Sequence, residues 1–371
     1  MPVRVLIVDD SALVRRALTE GLAADPDIEV VGVASDPYIA RERIHALNPD
    51  VLTLDIEMPR MDGLTFLKVL MEHRPMPVII MSSLTTAGSQ KALDALHAGA
   101  ADVVPKPSSA EGLAEEGLRL AERIKAIARA RPRPRASRPP TSPPPPRQRR
   151  AVPSVDLPAC PARALILLGA STGGTEAIRE VLSSLPAGLP GIVVVQHIPS
   201  QFSRAFATRL DDCCAFEVRE AAPGDAVRPG LALVAPGGLH LVVRWTGSHY
   251  VVDLNAGPPI HHQRPSVDVL FDSAARSGAR DLTFAALLTG MGADGAQGML
   301  SLRRAGAITV AQDETTSVVF GMPREAIALG AAQAVLPLPQ IAPAIVRFAR
   351  RIAPAGPNPL TSPNARSQPS P

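Results

Sequence analysis

The sequence predicts an α/β protein with two doubly wound domains, each built on a parallel sheet, joined by a linker. Three observations support this fold class. At 371 residues the chain is too long for one ordinary hydrophobic core. Short apolar runs alternate with segments of helical periodicity in both halves, which is typical of β-α-β units. Between the halves, residues 131–161 are rich in proline and arginine and poor in core-forming residues.

In the first half, apolar runs predict five buried parallel strands, at Val3–Val8, Glu29–Ala34, Val51–Leu54, Pro77–Met81 and Asp102–Val104. Helical periodicity separates them at Ala12–Ala24, Ile39–Leu47, Leu64–Met71 and Ser89–Ala98. Polar residues stand at the strand ends, namely Asp9, Asp10, Asp55, Ser82 and Lys106. Because the carboxyl ends of parallel strands meet at one edge of the sheet, we expect these five side chains to converge.

These five side chains suit phosphoryl chemistry. Carboxylate oxygens are ligands that Mg²⁺ prefers, and the ion bridges to a phosphoryl group. Asp55 is placed to attack phosphorus, while Lys106 and the Ser82 hydroxyl hold the transferred group. Any one of the five alone fits a solvated cap or turn, but their shared placement at strand ends favours a site.

On these residues and the segment LDIEMPRMDG around Asp55, residues 1–125 resemble the receiver domain of response regulators, with its flavodoxin-like strand order. The resemblance implies that Asp55 is the phosphoacceptor. It assigns the Mg²⁺ ligands to Asp9, Asp10, Asp55 and the backbone carbonyl of Glu57, and phosphoryl binding to Ser82 and Lys106. Many receivers carry Tyr or Phe where this chain has Val103, which puts the aromatic switch in question but not phosphorylation.

The connecting and terminal segments are predicted to lack a packed core. Residues 126–161 are interpreted as a Pro/Arg-rich linker, a solvated and semi-rigid spacer, with a basic docking strip for an acidic partner as the alternative. Residues 353–371 are interpreted as a disordered tail.

In the second half, the stretch Leu165–Thr175 (LILLGASTGGT) contains the candidate nucleophile Ser171. The run Leu165–Leu168 predicts a buried strand, and a helical pattern, Glu176–Leu185, follows two glycines. Ser171 therefore lies on a sharp turn where backbone N–H groups can face an oxyanion. Gly169–Gly173 also fits the G-x-S-x-G pattern of a nucleophile elbow. The alternative is a loop that binds a phosphate or only turns the chain.

His197 is the candidate general base. It follows the apolar run Gly191–Val195, one strand beyond Ser171, at a carboxyl end where a base is useful. A lone histidine is more often structural, and His240, His261 and His262 are rivals, but none of these three ends an obvious central strand.

The rest of the second half predicts further strands and a helix. Short strands are expected at Leu231–Val234, Leu239–Arg244 and Tyr250–Leu254, forming a hairpin or meander at an antiparallel sheet edge. A helix is expected at Val267–Ala275, followed by a strand at Leu282–Leu288.

The segment Gly290–Gly295 supports two competing interpretations. It matches the G-x-G-x-x-G dinucleotide fingerprint, which favours a Rossmann oxidoreductase. However, the fingerprint comes late in the domain, and Asp294 places a carboxylate where a pyrophosphate would bind. In a hydrolase, a helix amino end would keep Asp294 ionised to orient His197, which completes a triad with Ser171.

The motifs GASTGG, VVVQHIP, RPSVDVLFDS and LTGMGADGA make residues 162–352 similar to the catalytic domain of bacterial chemotaxis protein-glutamate methylesterases. The resemblance implies that Ser171 is the nucleophile, His197 the base and Asp294 its orienter, without a cofactor. It also implies that Thr172 and the backbone at Met291 border the oxyanion and substrate site. Family members often carry His where this chain has Gln263, which is expected to alter substrate contacts at most.

Together, the two resemblances predict a phosphorylation-activated serine hydrolase that acts in chemotaxis adaptation. It would demethylate γ-glutamyl methyl esters on chemoreceptors, releasing methanol, and deamidate specific receptor glutamines. A chemotaxis histidine kinase would be the phosphodonor, and the protein is expected to be a monomer. The alternative is a phosphorylation-dependent binding module whose second domain is catalytically inactive.

Composition excludes several other classes. With a net charge of +3, basic residues concentrated in the linker and 3% aromatic residues, a folded nucleic-acid-binding face is not expected. The cysteines Cys160, Cys213 and Cys214 form neither a disulfide framework nor a metal-ligand spacing. No membrane insertion and no signal peptide are predicted, so we expect a cytoplasmic protein.

Overall fold

The computed structural model describes residues 1–82, 85–106, 113–128 and 160–353. Residues 129–159 of the predicted spacer and the predicted tail from residue 354 lie outside these residues, so there both interpretations remain predictions. The predicted start of the spacer at residue 126 was wrong, because a helix continues to Ala128 and buries Ile127 in the core. Within the described residues the strands form three sheets, of five, seven and three strands. The α/β fold class is confirmed, since the two larger sheets are parallel throughout and alternate with helices along the chain.

The first sheet contains the first five strands in the order β2-β1-β3-β4-β5, which is the flavodoxin-like order predicted. Its elements are β1 (Val3–Val8), α1 (Ala12–Leu22), β2 (Ile28–Ala34), α2 (Pro37–Leu47), β3 (Val51–Asp55), α3 (Gly63–His73), β4 (Val78–Ser82), α4 (Thr86–Ala98), β5 (Asp102–Pro105) and α5 (Leu113–Ala128). All five residues of β3 and of β4 are buried, because helices cover both faces of a parallel sheet.

Side-chain caps fix where several of these helices begin. Asp36 accepts hydrogen bonds from the N–H groups of Tyr38 and Ile39, and Pro37 occupies the first turn of α2. Ser11 caps α1 in the same way. Such caps satisfy backbone donors that have no partner inside the helix.

The second sheet has seven parallel strands in the order β15-β14-β13-β6-β7-β10-β8. Its strands are β6 (Leu165–Ala170), β7 (Gly191–Gln196), β8 (Glu217–Glu220), β10 (Leu231–Val234), β13 (Thr283–Leu287), β14 (Ile308–Gln312) and β15 (Ala334–Leu336). The helices are α6 (Gly174–Ser183), α7 (Ser200–Cys213), α8 (Val267–Arg276), α9 (Ala296–Arg304), α10 (Met322–Ala328) and α11 (Leu338–Ile352). The central strands β6, β7 and β13 are completely buried, so the sheet forms the middle of the core.

The remaining strands form a separate antiparallel sheet, β11-β12-β9, made of β9 (Ala226–Val227), β11 (His240–Trp245) and β12 (Tyr250–Asn255). The antiparallel hairpin was predicted, but it does not extend the edge of the main sheet. The assignment of Leu231–Val234 to this hairpin was wrong, because β10 lies between β7 and β8 as a buried parallel strand. All four of its residues are buried, and periodicity cannot show which neighbours such a run pairs with.

The predicted elements otherwise occur with ends that differ by at most three residues. The helices α7, α10 and α11 and the strands β8, β9, β14 and β15 were not predicted. No helix among the described residues is long and apolar enough to cross a membrane.

Candidate active site and phosphoacceptor site

Ser171 lies on the turn between β6 and α6, and its backbone is held from three sides. Its N–H donates to the carbonyl of Thr289 at 3.0 Å, and its carbonyl accepts from the N–H of Gly174 at 2.7 Å and from Nε2 of Gln196 at 2.8 Å. The residue is 8% exposed. These contacts fix the turn without using the hydroxyl, so the side chain remains available for chemistry.

Gly290 permits the close packing around this turn. A Cβ added at Gly290 would lie 2.7 Å from Cβ of Ser171 and 2.3 Å from Sδ of Met322. No real side chain fits in this space, so the first glycine of the G-x-G-x-x-G segment allows its backbone to approach Ser171.

His197 forms a buried pair with Asp294. Its Nε2 lies 2.7 Å from Oδ2 of Asp294, and the two side chains are 2% and 1% exposed. The register Ala170↔Gln196 places Ser171 and His197 directly after paired residues of neighbouring strands. Nδ1 of His197 is buried and has no hydrogen-bond partner among the described residues. Nδ1 is therefore the ring nitrogen left for a bond to the Ser171 hydroxyl.

The carboxylate of Asp294 accepts four hydrogen bonds. Oδ2 accepts from His197 and from the N–H of Val267 at 2.7 Å each, while Oδ1 accepts from Oγ of Ser266 at 2.7 Å and from the N–H of Asp268 at 3.0 Å. Burial alone would raise the pKa of Asp294, but the hydrogen bond and charge of His197, helped by Ser266 and Asp268, hold it below its usual value.

The helix that stabilises Asp294 is α8, two of whose first N–H groups point at the carboxylate, and not α9, which follows Asp294 in sequence. A helix amino end favours a negative charge. Because Asp294 occupies this position and the Gly290 loop packs on Ser171, the geometry favours the triad interpretation over a dinucleotide fingerprint.

Two supporting residues were missed or undervalued in the sequence. Ser266 caps α8 and bonds Asp294, and a serine directly before a predicted helix start is a signal that could have identified it. His240, considered only as a rival base, accepts the Ser266 N–H on Nδ1 at 3.2 Å and donates from Nε2 to the carbonyl of Pro258 at 3.0 Å. Both ring nitrogens are thus used to hold the start of α8.

Thr172 and Met291 are the residues predicted to border the oxyanion and substrate site. Among the described residues, their backbone N–H groups donate no hydrogen bond, so both remain available for a developing oxyanion. The Thr172 hydroxyl, however, donates to Oδ2 of Asp102 at 3.0 Å. Asp102 belongs to β5 of the first sheet, so this residue joins the two halves of the protein.

The side chains of His261, Asp268 and Asp294 place potential metal ligands within 4.8 Å of one another. Each oxygen of Asp294 already accepts two hydrogen bonds. The arrangement therefore fits a hydrogen-bonded support for the His197 pair better than a metal centre.

In the first sheet, Asp9, Asp10 and Asp55 bring carboxylate oxygens within 4.8 Å of one another. Nζ of Lys106 lies 3.0 Å from Asp9 and 2.7 Å from Asp55. Burial raises the pKa of Asp55 to about 6, against the hydrogen bond from Lys106 and with the added repulsion of Asp9. Crowded carboxylates beside one lysine are a donor set that fits Mg²⁺.

The remaining predicted residues of this site lie nearby. Glu57 donates its backbone N–H to Oδ1 of Asp55 at 3.0 Å. Ser82 ends β4 next to Met81, which pairs with Asp55, and its buried hydroxyl donates to the carbonyl of Gly88 at 3.2 Å. Val103 is buried in β5 opposite Ile80.

Comparisons with known proteins give consistent matches over most of the chain. Residues 166–345 match the family described as CheB methylesterase, and residues 5–118 match the response regulator receiver domain. The chain is 55% identical over 359 residues to protein-glutamate methylesterase/protein-glutamine glutaminase 5 of Anaeromyxobacter dehalogenans, covering 94% of this chain and 97% of that protein.

A second relative, protein-glutamate methylesterase/protein-glutamine glutaminase 2 of Pseudomonas aeruginosa, is 50% identical over 95% of this chain and 98% of its own length. Among solved structures, the CheB methylesterase catalytic domain of Thermotoga maritima is 36% identical and is covered over 98% of its length, matching 50% of this chain with a TM-score of 0.48.

Proposed function

Because the chain belongs to the family of CheB methylesterases that carry a receiver domain, we propose that it is a serine hydrolase activated by phosphorylation of Asp55. As a member of this family it is a protein-glutamate methylesterase and protein-glutamine glutaminase of chemotaxis. Its substrates would be methylated chemoreceptors, whose γ-glutamyl methyl esters it hydrolyses to release methanol, and specific receptor glutamines, which it deamidates.

One observation carries the hydrolase mechanism: the buried His197–Asp294 pair leaves Nδ1 of His197 without a partner among the described residues, and His197 follows the strand next to the one that ends before Ser171. In the first step Nδ1 takes the proton of the Ser171 hydroxyl while Oγ attacks the ester carbonyl. The ionised Asp294 stabilises the histidine cation that forms. The N–H groups of Thr172 and Met291 would donate to the oxyanion.

The second half of the reaction uses the same groups. The histidine cation returns its proton to the leaving methoxy oxygen, so methanol departs and a glutamyl ester of Ser171 remains. A water molecule, deprotonated by His197, then cleaves this ester and restores the serine. With a glutamine substrate the leaving group is ammonia, and the remaining steps are unchanged.

Contacts between the two halves support regulation by the receiver. The α4 helix packs on α7, where Arg209 lies 2.5 Å from Asp94. Thr172 bonds Asp102, and Met291 with Val319 joins the apolar cluster of the first domain. The receiver therefore covers residues at the border of the proposed substrate site. Because a linker holds it at high effective concentration, a weak interface is enough.

Phosphorylation would act at the other end of β5. Asp9, Asp10, Asp55 and the carbonyl of Glu57 would hold Mg²⁺, which neutralises charge on the incoming phosphoryl group. Lys106, already 2.7 Å from Asp55, would bind the phosphoryl oxygens together with Ser82. The added negative charge would draw both residues inward and weaken the packing on α7. The phosphodonor would be a chemotaxis histidine kinase, and the enzyme would act as a monomer in the cytoplasm.

The decisive experiment measures methanol release from methylated receptor membranes. Ser171→Ala should lower the rate by ~10³-fold or more, because it removes the nucleophile without altering the core. Ser301→Ala is the matched control, since among the described residues its hydroxyl bonds only to Gln297 of its own helix, and the change should leave the rate unchanged. Retention of most activity by Ser171→Ala with an unchanged melting curve would exclude the nucleophile assignment.

A further inference from the structure

A second carboxylate, that of Asp268, lies beside the His197–Asp294 pair. Potential ligand atoms of Asp268, Asp294 and His261 all fall within 4.8 Å of one another. The Asp268 side chain is 9% exposed, whereas that of Asp294 is 1% exposed. Two carboxylates in one largely buried place repel each other unless other groups compensate them.

The position of Asp268 is fixed by three contacts. Its Oδ1 accepts the N–H of Gly298 at 2.7 Å, which links α8 to the first turn of α9. Its own N–H donates to Asp294, and its Oδ2 lies 3.2 Å from Nε2 of His261. Asp268 therefore holds a negative charge at a fixed position next to Asp294, the partner of His197.

His261 lies where a positive charge would compensate that of Asp268. Its side chain is 44% exposed, and histidine is the side chain that commonly changes charge between pH 5 and 8. Its φ of +49° and the φ of +59° at His262 place two successive residues in the left-handed region. This backbone conformation is uncommon for residues other than glycine. His262 is also exposed, but it makes no hydrogen bond among the described residues.

From this geometry we infer that Asp268 and His261 are positioning residues that set the pH range in which His197 acts as a base. The Asp268 charge favours the protonated form of His197, and a protonated His261 offsets that charge. The inference rests on the proposed hydrolase function. Neither residue is proposed to contact the reacting atoms. Both would act through Asp294 and the electrostatic field around it.

The other charged and titratable groups around α8 leave this arrangement intact. The neighbouring groups are Asp272 on α8, His240 on β11, His197 directly after β7 and Asp294 before α9. His240 uses one ring nitrogen as acceptor and the other as donor, so both are engaged in holding the start of α8. Burial, opposed by the Gly298 N–H and assisted by the charge of Asp294, raises the pKa of Asp268. His261 is thus the group that can add a positive charge next to Asp268.

The test is the pH dependence of kcat/KM for methanol release by the full-length chain from roughly pH 5 to 9. His97 faces Glu176 across the domain interface, so the profile is taken at saturating phosphodonor. Asp268→Asn keeps an acceptor for Gly298 but loses the charge. The acid limb of its kcat/KM profile should therefore move to lower pH by ~0.5 unit or more. His261→Gln should move the limb in the opposite direction. The control His262→Gln should not move it.

A second readout removes the dependence on activity. The ring resonances of His197, followed by NMR titration of the full chain, should shift in the same two directions. Loss of activity in Asp268→Asn or His261→Gln without any shift of the limb or the ring titration would overturn the inference, and so would equal shifts in His261→Gln and His262→Gln. Since His261 is half-exposed, we expect His261→Gln to fold normally. This variant therefore tests the inference even when Asp268→Asn folds poorly. Failure of the proposed function itself would appear as an active Ser171→Ala, which is a separate result.

Discussion

The hydroxyl of Thr172 donates a 3.0 Å hydrogen bond to Oδ2 of Asp102, and this bond joins the residue after the proposed nucleophile to β5 of the receiver. The same oxygen of Asp102 lies 2.8 Å from Arg123 of α5. Lys106, which contacts the proposed phosphoacceptor Asp55, follows the other end of this four-residue strand. A single strand, about 13 Å long, therefore connects the proposed phosphorylation site to the border of the proposed active site.

We expect Asp102→Ala to raise the activity of the unphosphorylated enzyme. Thr172 then loses its partner in the receiver, and one charge-assisted hydrogen bond is worth ~1.5–3 kcal/mol, so a rise of up to ~10- to ~100-fold follows. The measurement is methanol release without phosphodonor. Asp102→Asn retains an acceptor and should change the rate less. Arg123→Ala, which removes only the contact with α5, is the second control, and an equal rise there would show that Thr172 is not involved.

Replacing Asp294 by Asn should preserve the shape of the site and abolish most of its activity. The amide cannot stabilise the His197 cation, and loss of the corresponding charge in a serine triad lowers kcat by ~10⁴-fold. Asp272→Asn, the same change on α8 at a residue outside the triad, should leave kcat within a few-fold. An Asp294→Asn variant that released methanol at the normal rate would remove Asp294 from the mechanism.

Phosphorylation is tested by Asp55→Asn together with a truncation. Phosphodonor should raise the activity of the intact chain, and Asp55→Asn should abolish that rise while leaving basal hydrolysis unchanged. A chain lacking residues 1 to 150 should be faster than the unphosphorylated whole protein and insensitive to phosphodonor. If the truncated and intact unphosphorylated enzymes proved equally fast, the receiver would not inhibit by covering the site.

Chelation of divalent cations separates the two sites chemically. The Asp9, Asp10 and Asp55 carboxylates would need Mg²⁺ to accept a phosphoryl group, whereas no step proposed for Ser171 and His197 uses a metal. EDTA should therefore remove the stimulation by phosphodonor but not the basal release of methanol, and excess Mg²⁺ should restore the stimulation. Loss of basal activity on chelation would count against the mechanism proposed for the hydrolase half.

The sequence alone was sufficient to locate residues that stand at the ends of buried strands. Apolar runs that stop at a polar residue placed Asp55, Ser171 and His197 at carboxyl ends, because the interior of a parallel sheet covered on both faces favours apolar residues. The strand order of the first sheet followed from the family resemblance. The helix caps were equally local, since Ser266 precedes its helix by one residue.

Only the tertiary structure decided how these elements meet. The apolar sequence of β10 does not show which strands it pairs with, and only its pairing with β7 and β8 places it in the core. The amino end of α8, not that of the neighbouring α9, receives Asp294, and Asp102 reaches Thr172 from 70 residues away in the chain. Strand and helix-cap signals depend on residues that are close together in the sequence. Hydrogen bonds between distant segments depend on the relative placement of whole elements, which no local pattern contains.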